Sequence, residues 1–103
     1  MDAGRNLLAF ARMDGALLAS IEISQGKAFT ARSMNMKTGD IGPLTQPGQP
    51  LYGIETSHTR PIITFGGGQP LVVDGEIVGA VGVAGGLVPQ DEEVAAAAAA
   101  SLA

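Results

Sequence analysis

"ITFGGGQPLVVDGEIVGAVGVAGG", residues 63–86, is the stretch on which the fold turns. Branched apolar residues flank Asp74-Gly75, a dipeptide suited to a type I′ turn because both positions tolerate positive φ. The pattern predicts a hairpin with strands over Pro70–Val73 and Ile77–Val83, and a further strand over Pro61–Phe65. The stretch holds no Cys, His or Lys. Its glycines therefore make either a phosphate cradle or the floor of a pocket whose reactive group is a bound molecule. Three consecutive glycines, Gly66, Gly67 and Gly68, cost more conformational entropy than a plain turn requires. Gly79 and Gly82 lie inside a strand, where a missing side chain marks close approach. All five are places for a flat ligand, another backbone or a neighbouring subunit.

Working outward, "GVAGGLVPQDEEV" (82–94) leads from the last strand into a helix beginning near Pro89 and continuing through the alanine run. Pro suits the first helical turn, and Asp91, Glu92 and Glu93 complement the positive end of the dipole. The same three carboxylates repel phosphate, and neither a Walker sequence nor G-x-G-x-x-G is present. The cradle is thereby disfavoured against a tight strand-to-helix connection. Upstream, residues 37–61 carry Pro43, Pro47, Pro50 and Pro61. Four prolines exclude a long helix or central strand, leaving a functional loop with helical turns at Gly39–Leu44 and Leu51–Ile54. "SIEISQGKAFTARSMNM" (20–36) reads as a helix with Ser20 at its start. "DAGRN" (2–6) reads as a turn, "LLAFAR" (7–12) as a buried strand and "MDG" (13–15) as a second turn. The order, strand, helix, long loop, three strands, helix, is α+β: an antiparallel sheet with helices packed on it.

Composition limits what this fold can do. The 103 residues suffice for one small domain, 1–103, with a core of Val, Ile, Leu, Ala and Gly, because aromatics are 4% and Trp is absent. So thin a core predicts association into homo-oligomers. The net charge of −4, with six scattered basic residues, argues against nucleic acid. The lack of Cys removes disulfides and thiolate metal sites. Neither a signal peptide nor a membrane-spanning run is evident, so a cytoplasmic protein is expected.

Five blocks in register, "DAGRNLLAFARMDGA", "KAFTA", "QPGQPLYGIETS", "ITFGGGQPL" and "GEIVGAVGVAGGLVPQDEEVAAAA", resemble the GlcG/HbpS-like family, which includes the haem-binding HbpS and the C-terminal domain of PduO-type cobalamin adenosyltransferases. The resemblance spans essentially the whole chain. It implies a profilin-like α/β sandwich that assembles into oligomers, octamers among them, and takes haem or a related tetrapyrrole. Family members begin with a helix and a strand leading into the "DAG" turn, so the chain is expected to be truncated at its N-terminus relative to them. A histidine that ligates haem in some members lies in that part and is not carried over.

The candidate site residues are few. His58 is the single histidine and a possible axial haem ligand. Tyr52 offers a ring to stack on a porphyrin, or packs beneath the loop. Lys27, in the "KA" element, meets a ligand carboxylate, pairs with Glu22 or Asp40, or acts as a base with lowered pKa. Arg60 and Arg32 are weaker candidates for the same anion. Phe65 with Gly66, Gly67 and Gly68 is expected to line the pocket. Met13, Met34 and Met36 read as core filler. Thr30 and Ser20 lack a base at recognisable spacing, and no metal site is expected. The primary expectation is a haem or small-molecule binding module. The alternative is an enzyme on a small organic acid or secondary-metabolite intermediate, with Lys27 as base or anion anchor.

Overall fold

Asp74 and Gly75 adopt φ of 50° and 79°, closing the hairpin as the Asp-Gly pair requires. In this computed structural model, which describes residues 1–102, β1 (Gly68–Val73) pairs antiparallel with β2 (Glu76–Gly82). The register runs from Gly68 opposite Gly82 to Val73 opposite Glu76, with a bulge beside Leu71 and Val72. Three α-helices accompany the hairpin: α1 (Ala19–Met34), the single turn α2 (Thr38–Ile41) and α3 (Val88–Ala100). Short 3₁₀ turns cover Gly42–Thr45 and Ile54–Thr56. The α+β class expected from the sequence holds, with an antiparallel sheet flanked by helices.

Helix α1 lies along the hairpin, and small residues set the spacing. Ala28 and Ala31 of α1 meet Ala80 of β2, all three buried, with Met1 packed against them. At Gly82 the two backbones touch: a methyl group there would overlap the carbonyl oxygen of Ser24 and lie 2.7 Å from the amide nitrogen of Ala28. α1 ends at Asn35, which takes the left-handed conformation (φ 55°) and can do so because its short polar side chain bonds locally. At the start of α3 the side chains of Asp91 and Gln90 accept the amides of Gly86 and Leu87 at 3.0 Å each. Donors that a phosphate would need are therefore taken, in keeping with the tight-connection reading.

Two expected strands are absent. Leu7–Arg12 runs without ladder bonds, and Leu7, Leu8 and Phe10 are exposed. A strand needs a neighbour about 4.8 Å away, and here that place is a groove. Only the first two residues reach β2: the Met1 nitrogen donates to Ala80 O at 2.8 Å, Ala80 N returns a bond to Met1 O at 3.0 Å, and Asp2 bridges Gly79. Beyond these rungs the edge of β2 at Val81 and Gly82 faces the groove instead of a backbone. Pro61–Phe65 is also not a strand, and it is held by α1 and the following turn instead of by a neighbouring strand. Pro61 has no N–H, Ile63 N–H goes to Thr30 Oγ1 at 2.9 Å, and Thr64 O lies against Gly42.

Candidate functional site

The sequence candidates separate into two clusters on different sides of α1. The first surrounds Lys27, whose side chain is 0% exposed. Its ammonium donates to Val83 O at 2.7 Å and to Asp91 Oδ2 at 3.1 Å, and lies 4.9 Å from the centre of the Phe65 ring. The partner is Asp91, not the Glu22 or Asp40 that the sequence offered. Sixty-four residues separate the pair, so no local spacing could have signalled it. With two acceptors and a ring face around it, the ammonium is enclosed by the protein's own groups.

Gly66, Gly67 and Gly68 close the floor of this cluster, and all three are buried. The approach they permit is by the chain itself. A Cβ at Gly66 would strike the Glu92 carboxylate, one at Gly67 would come within 2.7 Å of Lys27 Nζ, and one at Gly68 would lie 2.6 Å from Thr38 Cγ2. Thr38 Oγ1 accepts the Gly68 amide at 2.8 Å, and Thr30 Oγ1 bonds Gly26 O and the Ile63 amide. These hydroxyls tie loops to helices. The cleft beside the triple glycine has about 310 Å³, and its charged lining residues are Glu92, Glu93 and a single cation, Lys37. That is the small end of ligand-site volumes, with charge opposed to an acidic ligand.

The second cluster surrounds Phe29, which is 3% exposed. The His58 ring meets it edge-on at 5.7 Å and 79°. The guanidinium carbons of Arg5 and Arg60 lie 4.9 and 4.4 Å from its centre. Arg60 donates through both terminal nitrogens to Arg5 O at 3.2 and 3.1 Å, latching the proline-rich loop to the N-terminal turn. His58 Nδ1 and Ser57 Oγ are 2.7 Å apart, which fixes the ring and leaves Nε2 without a protein partner among the described residues. Lys27–Asp91 is the one ion pair among the described residues, so neither Arg5 nor Arg60 has a carboxylate oxygen of those residues within 4.0 Å.

His58 and Arg60 are thus brought together, while Lys27, Phe65 and the triple glycine stand apart from them. Tyr52 is 67% exposed and joins neither cluster by a hydrogen bond or ring contact. Arg5, Phe29 and Asp91 were missed in the sequence. The only local sign of Arg5 is an arginine in a turn otherwise built of Asp, Gly and Asn. Met13 is 83% exposed and is not core filler.

A third feature is the groove between residues 9–16 and the end of β2, with a volume of about 810 Å³. Phe10, Val81, Val83 and Val94 give it apolar walls, with Gln90 and Asp91 at one end. It continues the smaller groove beside Leu7 and Leu8. Among the described residues no group of His, Asp or Glu is placed to hold a metal ion, and no helix is long and apolar enough to cross a membrane.

Residues 1–100 match the sequence profile of a family described as "Haem degrading protein HbpS-like". An uncharacterised 15.0 kDa protein from the dhaT-dhaS intergenic region of Citrobacter freundii is 43% identical over 92% of this chain and 67% of its own length. The corrinoid adenosyltransferase PduO of Salmonella typhimurium is 42% identical over 88% of this chain but only 27% of its own length. Protein GlcG of Escherichia coli is 43% identical over 80% of this chain and 58% of its own. The crystal structure of Klebsiella pneumoniae ORFY superposes with a TM-score of 0.94 at 42% identity, covering 98% of this chain and 70% of that one. That of a PduOC–haem complex superposes with a TM-score of 0.93 at 40% identity, covering 97% and 72%.

Proposed function

This chain belongs to the HbpS-like family, and on that premise we propose that it binds haem, with His58 Nε2 as an axial ligand to the iron. The observation that carries the reading is the state of His58: exposed, its Nδ1 engaged by Ser57, its Nε2 open. A neutral imidazole held in orientation through one nitrogen is the usual donor to a haem iron through the other. The donor set fits the group, because haem also carries two acidic substituents and Arg60 stands over the Phe29 ring that His58 meets edge-on. Tyr52, exposed on the same loop, offers a face for the macrocycle. Bound haem would supply a redox-active iron, while the protein contributes orientation and one ligand. The family resemblance and the haem complex of a structure 40% identical to this chain support the ligand class. Support for the enzyme reading is weaker, because Lys27, the base it invoked, is enclosed and paired.

The test is a titration of the purified chain with ferric haem, read by visible absorption. The expected result is a saturable shift of the Soret band that His58→Ala changes in position and weakens. His58 is exposed, so circular dichroism of the variant should match the wild type. A Soret spectrum that never saturates overturns the reading. So does one identical in wild type and His58→Ala.

A further inference from the structure

The Arg5–Phe29–Arg60 group has a chemistry that iron ligation by His58 does not use. Two guanidiniums stand within 5 Å of the centre of one buried ring. The chain has ten carboxylate side chains and a net charge of −4, yet none of them pairs with either arginine among the described residues. Two like charges on one ring, with no carboxylate of the described residues within 4.0 Å of either, repel one another, and a bound anion relieves that repulsion. Each guanidinium has five N–H donors. Arg5 spends one on Ser33 Oγ, at 3.2 Å, and Arg60 spends two on Arg5 O. The remainder are held in place by those bonds and by the ring, the state in which a bidentate carboxylate contact costs least ordering entropy.

The backbone points the same way. Arg5 has φ of 68°, the left-handed region that favours glycine, in a turn where Asp2 Oδ1 accepts the amides of Gly4 and Asn6. Glycine would hold that conformation without strain. A long charged side chain placed there is a local conflict that packing alone does not repay, and such outliers gather at binding sites. Its guanidinium is directed onto Phe29, beside Arg60 and on the same ring that His58 meets.

We propose that Arg5 and Arg60, both set over the Phe29 ring, form a receptor for carboxylate groups, and that these are the propionates of the tetrapyrrole whose iron His58 ligates. The second half rests on the haem reading above. The receptor also explains why the loop carrying His58 is latched to the N-terminal turn: the latch brings two anion donors and one iron donor onto a single ring.

Metal-free protoporphyrin IX and its dimethyl ester separate the two ideas, because neither contains iron for His58. Both are titrated by fluorescence into wild type, Arg5→Gly and Arg60→Gln. The wild type should prefer the free acid by about tenfold or more, the worth of one charge-assisted hydrogen bond. Each variant should lose most of that preference. Arg5→Gly guards against misfolding, since it relieves the strained φ and keeps the residue 5 carbonyl that Arg60 uses. It should melt no lower than the wild type. Equal binding of acid and ester overturns the receptor, as does an unchanged preference in both variants. If either result accompanies a His58-dependent Soret shift with ferric haem, the receptor fails while the haem reading stands. A porphyrin that binds in neither form, together with no Soret shift, overturns both.

Discussion

Replacing Asp91 by Ala should be among the most damaging single changes in this protein. Among the described residues Asp91 Oδ2 is the only charged partner of a Lys27 side chain that has no exposure, and Asp91 Oδ1 accepts the Gly86 amide at 3.0 Å. Removing it leaves an ammonium buried with Val83 O and the Phe65 ring as its remaining contacts. Stranding one member of a buried pair costs about 3–5 kcal/mol. A domain of this size has about 5–15 kcal/mol in total, so the variant should lose about a fifth of its stability or more. At roughly 4–8 °C per kcal/mol, the melting temperature falls by about 12–40 °C. Lys27→Met combined with Asp91→Leu removes both charges and should recover most of the loss, because an apolar pair of similar volume avoids the desolvation of two ions. Urea unfolding of wild type, Asp91→Ala, Lys27→Met and the double variant gives the coupling directly. An Asp91→Ala loss below about 1 kcal/mol would show that water reaches the ammonium and would refute the reasoning.

Gly82→Ala should destabilise by more than about 2 kcal/mol and lower the yield of folded protein, since its methyl group meets the α1 backbone at Ser24 and Ala28, which cannot swing aside as a side chain does; thermal melting checks it. Asp2 has its carboxyl held below the ordinary value of 3.8, chiefly by the Asn6 amide. A depressed folded pKa contributes stability above the unfolded pKa and loses it as pH falls through the folded value, so Asp2→Ala should flatten the stability profile below about pH 4; urea midpoints measured from pH 2 to 6 test this. Leu7, Leu8 and Phe10, which line one groove, expose 49, 73 and 44% of their surface, and an apolar group of this kind favours self-association. Leu8→Glu should shift the chain toward smaller species in sedimentation at equal concentration, and an unchanged distribution would remove this face from any assembly.

Some of this molecule was decided within short windows of sequence. Asp74-Gly75 specifies its turn because two adjacent residues choose the sign of φ, α1 follows from local propensity and α3 from propensity and end chemistry, all three close to where they were expected. Ser20, however, lies inside α1 and donates to Leu17 O, and the N-cap position is Leu18, with no side-chain cap bond. The α+β class follows from that order, as does the turn at Asp2. The two missing strands show the limit. Leu7–Arg12 and Pro61–Phe65 have the composition of strands, but a strand is defined by the neighbour that accepts its hydrogen bonds. At Ile63 that neighbour is a threonine on a helix. The site was legible to the same extent. His58 and Arg60 lie two residues apart and could be paired on sight, and the packing demanded by Gly82 could be foreseen. That Lys27 would spend its charge on Asp91, and that Arg5 would cross to the ring of Phe29, depends on contacts 64 and 24 residues apart along the chain. Electrostatic and stacking energies depend on distance in space, and only the folded chain sets that distance.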